Sequence, residues 1–134
     1  MSFGLKIEVL TPKWIFVAFA FFWLGCESEE EKIQQMIIGR WTLEEAQRNN
    51  RVTESLASLY FIFREEGTME TNLLGSEEMY FYTVSPLEIE QKGPRIETIK
   101  YQIQQISDST AELSTSLRNF NFVFKLRKEG FHGE

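Results

Sequence analysis

Cysteine, histidine and proline are nearly missing from this chain: its 134 residues include one Cys, one His and three Pro. A lone cysteine, Cys26, excludes an internal disulfide and any zinc site built on cysteines. A lone histidine, His132 in the terminal EGFHGE, leaves little material for a histidine-centred catalytic site. Positive charge is also short. The formal net charge is −6, and phosphate backbones are held by clustered Lys and Arg, so nucleic acid is not an expected partner. Phosphate loops, nucleophile elbows and calcium-loop spacings do not occur. The carboxylate pairs Glu44-Glu45, Glu65-Glu66 and Glu77-Glu78 are adjacent in sequence. In a strand their side chains would point to opposite faces, and at a turn they would be solvated. Neither arrangement builds a general acid–base pair. No enzyme, metal or organic cofactor is expected.

Long apolar runs are missing too. The longest, Trp14–Leu24, has eleven residues. As a helix it would reach roughly 16 Å, against a hydrocarbon core of about 30 Å, too little to span. Lys6 and Lys13 precede it, and Gly25 and Cys26 close it. A positive flank, a short apolar run and a small residue before a cut site describe a secretory signal peptide, expected over residues 1–25. Residues 26–32, with ESEEEK after the cysteine, read as a solvated acidic tether, because like charges repel and extend the chain.

What the chain does have is aromatic residues, 14% with twelve Phe, which favour strands and a bulky core. Ile33, Met36 and Ile37 recur at helical spacing and predict a short helix over Glu30–Ile38, stopped by Gly39. Beyond it the pattern is alternation. RWTLEE opens as a strand, and Leu59, Phe61 and Phe63 alternate with Tyr60, Ile62 and Arg64 before a turn at Glu65–Gly67. Met79 and Phe81 alternate with Tyr80, Tyr82 and Val84; Ile99, Tyr101 and Ile103 form another face, with a bulge or strand end expected toward Ile96 and Ile106. Phe120, Phe122, Phe124 and Leu126 share one face of the last strand. About eight short strands without intervening helices predict an all-β antiparallel meander, closed as an up-and-down barrel over residues 33–128, with 129–134 as a tail.

Two stretches then carry a resemblance. FWLGC resembles the lipobox of bacterial lipoproteins, with Leu24, Gly25 and Cys26 matching its last positions and Trp23 standing where an aliphatic residue is usual. This implies acylation of Cys26 and attachment to the outer membrane, where two or more acyl chains hold a protein stably. SEEE after that cysteine resembles the acidic surface-export signal of some Gram-negative lipoproteins, and it reads equally as a plain linker. Gly39-Arg40-Trp41, the G-x-W at the start of the first strand, together with the order of the strands, resembles the lipocalin superfamily, and specifically the lipocalin-like lipoproteins of Gram-negative bacteria. The resemblance implies that Trp41 plugs the closed end of the barrel, with Lys125 or Arg127 packed across its ring. It also implies a cup for an apolar small molecule or lipid, for which Tyr60, Tyr80, Phe81, Tyr82, Tyr101 and Phe122 are the candidate lining. Small barrels are also filled by their own side chains, and a filled barrel would instead suit docking of a protein partner in the cell envelope.

Overall fold

The computed structural model describes residues 28–130. The signal segment, Cys26 and His132 lie outside them. Ser28 caps helix α1 (Glu29–Ile37), its hydroxyl accepting from the Glu31 backbone N–H at 3.1 Å. Glu29, Glu30 and Glu31 fill the first turn, where carboxylates complement the positive end of the helix dipole. The acidic stretch therefore divides differently from the expected tether of residues 26–32: Glu29–Lys32 belong to the helix. One face of α1 buries Ile33 and Ile37 against the barrel.

The strands are β1 (Gly39–Arg48), β2 (Arg51–Thr53), β3 (Tyr60–Phe63), β4 (Thr68–Thr71), β5 (Glu78–Val84), β6 (Glu88–Lys92), β7 (Ile99–Ile106), β8 (Thr110–Leu117) and β9 (Phe120–Lys128). Neighbours pair antiparallel from β3 to β9; β1 joins β3 on one side and β9 on the other. The result is a closed eight-stranded antiparallel barrel, the predicted fold class. β2 is a strand beyond those expected from the alternation. It folds back on the end of β1 through Asn49 and Asn50, whose φ values of 51° and 69° make a type I′ hairpin turn. A second such turn joins β8 to β9 through Arg118 and Asn119.

Inward positions follow the pleat, and two bulges reset it. The register shift between Leu43 and Glu45 lets both Glu44 and Glu45 face outward, where they pair with Arg127 at 2.9 Å and Lys125 at 3.6 Å. Adjacent carboxylates therefore share a face here because of a bulge. A matching shift between Ile103 and Gln105 returns Ile106 toward the core. The core itself holds Trp41, Phe61, Phe63, Met69, Ile89, Tyr101, Leu113, Phe124 and Leu126, all almost fully buried.

Candidate functional site

The two ends of the barrel differ. At one end, β1 begins and β9 finishes, and α1 rests across the opening against β5 and β7. Trp41 and Lys128 are direct cross-strand partners, so their side chains share the inner face. The Lys128 ammonium stands 5.1 Å from the Trp41 ring centre and donates to the Met36 carbonyl at 2.7 Å. Burial lowers its pKa from the ordinary lysine value. The indole N–H donates to the Ile37 carbonyl at 2.8 Å. The cation over Trp41 is thus Lys128, and neither Lys125 nor Arg127 is. Alternation is the reason: positions 120, 122, 124, 126 and 128 face in, while 125 and 127 face out to Glu45 and Glu44.

The candidate cup residues do not converge. Tyr60 and Phe81 lie on the outer face, because their neighbours Phe61, Tyr80 and Tyr82 take the inward positions. Phe81 is 64% exposed. Tyr60 is buried on the outside instead, under the Arg40 guanidinium 4.5 Å from its ring centre, and it donates to Glu70 at 2.8 Å. Burial, with the Glu70 carboxylate beside it, pushes its pKa up to about 12. The same hydrogen bond, and a second from Arg64, holds Glu70 below the usual carboxylate value.

The other four face inward at different depths. Tyr82 belongs to the helix end, donating to the Arg64 carbonyl at 2.7 Å and accepting from Gln34 at 2.8 Å. Tyr101 is wholly buried and donates to Oε1 of Gln91; burial pushes its pKa far up. Gln91 Nε2 has no hydrogen-bond partner among the described residues. Tyr80 and Phe122 stand toward the open end. Between these levels the barrel is filled by rings: Phe61 meets Phe63 at 6.0 Å, Tyr101 at 5.5 Å and Phe124 at 6.1 Å, and Phe63 meets Tyr82 at 5.1 Å.

The open end carries what the sequence reading missed. A groove of about 270 Å³ is lined by Leu74, Ile96, Ile99 and Leu117, with both Glu97 and Arg118 beside them. A second, of about 320 Å³, lies across Ile96, between Tyr80 and Arg95. Beside them the β1–β2 and β8–β9 hairpins are tied together, the Asn49 N–H donating to the Asn121 carbonyl at 2.7 Å and the Asn121 N–H to the Asn49 side chain at 2.9 Å. Turn chemistry at Asn49-Asn50 was the legible signal for this pair. The closeness of two hairpins far apart in sequence had none.

No protein-family model and no curated protein sequence matches the chain. Among solved structures it is similar to the crystal structure of a lipocalin-like protein from Bacteroides uniformis, with a TM-score of 0.51 and 16% identity, over 69% of this chain and 98% of that one. At that identity the likeness is one of fold: this chain forms a lipocalin-like barrel.

Proposed function

We propose that this is a non-enzymatic binding protein of the cell envelope, held at the outer membrane by acyl chains on Cys26, with the open end of its barrel as the working surface. The observation that carries the reading is the contrast between the two ends. One is closed by α1, Trp41 and Lys128; the other presents half-buried Leu73, Leu74, Ile96 and Leu117 and an exposed Phe120. Because aromatic rings fill the barrel below that surface, the occupant is a protein partner seated on the rim. The apolar floor of the groove at Leu74, Ile96, Ile99 and Leu117 favours a second reading, a small apolar molecule or lipid held at the mouth. Cys26 stands two positions before Ser28, a reach of at most about 7 Å. An anchor there holds the closed end at the bilayer and points the open end away from it.

Native mass spectrometry of the protein isolated from its own host separates the two readings. Absence of any co-purified apolar molecule supports the partner reading, and a reproducible lipid mass supports the second. Globomycin treatment, which blocks lipoprotein signal cleavage, tests the anchor: the precursor should accumulate, and an unchanged protein mass would remove the lipoprotein assignment.

A further inference from the structure

The charge at the two hairpin tips of the open end runs against the acidic balance of the chain. Arg40 pairs with Glu129 at 3.0 Å, Arg64 with Glu70 at 3.2 Å, Arg127 with Glu44 at 2.9 Å and Lys125 with Glu45 at 3.6 Å. Arg48, Arg51 and Arg118, all exposed, make no ion pair among the described residues, in a chain whose net charge is −6. All three sit on the two joined hairpins: Arg48 and Arg51 face each other across the first, and Arg118 is at the tip of the second.

Arg48 is held in place, and Arg51 and Arg118 sit on a fixed backbone. Each hairpin closes in a type I′ turn, and the Asn49–Asn121 hydrogen bonds fix one tip against the other. The Arg48 guanidinium, though exposed, lies 5.3 Å from the Phe120 ring centre, within cation–π reach. Phe120 is 41% exposed and Val52 on the adjoining strand 64%. Preorganised arginines beside exposed apolar side chains combine a bidentate match for carboxylates with a desolvating surround. Exposed carboxylates occur at both ends, Glu29, Glu30, Glu31, Glu65 and Glu66 at the helix end and Glu54, Glu77, Glu78 and Glu97 at the open end, so the unpaired arginines mark the two hairpin tips alone.

We infer that the paired hairpins dock an acidic, carboxylate-rich segment of a partner protein, with Arg48, Arg51 and Arg118 as the recognising groups and Phe120 as the apolar contact. The inference rests on the reading of the open end as the working surface and names the chemistry of its partner. An orientation away from the anchoring bilayer favours a protein segment over that bilayer's own phosphates.

The test titrates the full chain in detergent with a fluorescein-labelled deca-glutamate peptide, read by anisotropy at low and high salt. Binding is expected to be saturable and salt-sensitive, and to weaken about tenfold in Arg51→Glu/Arg118→Glu, whose lost attraction becomes repulsion. Lys32→Glu, exposed on α1 at the closed end, should stay within about twofold, since it lies away from the hairpins. Thermal melts matching the wild type show that the variants fold. Affinity unchanged in Arg51→Glu/Arg118→Glu overturns the inference. So does competition of the peptide by phosphatidylglycerol added to the detergent micelles through the same arginines, which would assign a phosphate surface instead. Loss of binding in Phe120→Ala alone keeps the open end as the docking surface while removing the arginines; binding unchanged in both variants removes the open end as well.

Discussion

Tyrosine is the residue that reports this fold most directly. All four, Tyr60, Tyr80, Tyr82 and Tyr101, have pKa values raised above the ordinary phenol value, each chiefly by burial. A raised folded-state value means that the native protein keeps the proton while the unfolded chain releases it near pH 10. The stability this provides is complete below that pH and is lost as pH rises through about 12 for Tyr60. Absorbance at 295 nm should therefore stay flat through the range where free tyrosine titrates, then rise together with loss of circular dichroism. Ordinary phenol titration before unfolding would show that the rings are not packed as described. Lys128 gives a second residue-scale expectation. Lys128→Met removes the cation over Trp41 and the donor to the Met36 carbonyl, at a cost of about 1–3 kcal/mol. Arg127→Met, which breaks only an exposed pair with Glu44, should cost under about 1 kcal/mol. Equal losses in urea melts would overturn the assignment of Lys128. Alternation made this choice available in the sequence, since Lys128 shares parity with Phe124 and Leu126 whereas Lys125 and Arg127 do not. The same parity excludes Tyr60 and Phe81 from the barrel interior once Phe61 and Tyr82 are placed there.

At the scale of elements, the hairpin β1–β2 was the least legible feature and now has the most specific consequence. Its two central residues, Asn49 and Asn50, both lie at positive φ, at 51° and 69°, a region that other side chains enter at a cost of roughly 1–2 kcal/mol each. Asn49→Ala/Asn50→Ala also removes the side-chain acceptor for the Asn121 N–H. It should lower stability by about 2–3 kcal/mol and speed hydrogen exchange in both hairpins, because the two are tied. Exchange that changes in the β1–β2 hairpin alone would show that they move separately. A three-residue strand has too little periodicity to be read from sequence. The helix was readable because Ile33 and Ile37 sit one turn apart, although it begins one residue earlier than expected, at Glu29, because Ser28 caps it.

The molecule as a whole is closed by contacts between its first and last elements. Trp41 joins α1, through its hydrogen bond to the Ile37 carbonyl, to β3 and β9, through its pairing with Phe61 and Lys128. Trp41→Ala should thus cost about 3–5 kcal/mol, and a melting temperature lower by well over about 10 °C, as for a large ring lost from a packed core. A shift of only a few degrees would mean that the closed end does not depend on the ring. The placing of the unpaired arginines is likewise a property of the whole, since two hairpins distant in the chain bring Arg48, Arg51 and Arg118 to one end.

The pattern of apolar and polar residues was enough, by itself, to give the all-β class, the approximate strand count and the inward face of most strands, because a period of two is a local property of the backbone. The bulge in β1, the filling of the interior by Phe61, Phe63, Tyr101 and Phe124, and the meeting of the β1–β2 and β8–β9 tips were decided only by tertiary structure. Each depends on register between strands distant in the chain, and a single bulge changes that register without a mark in the local pattern.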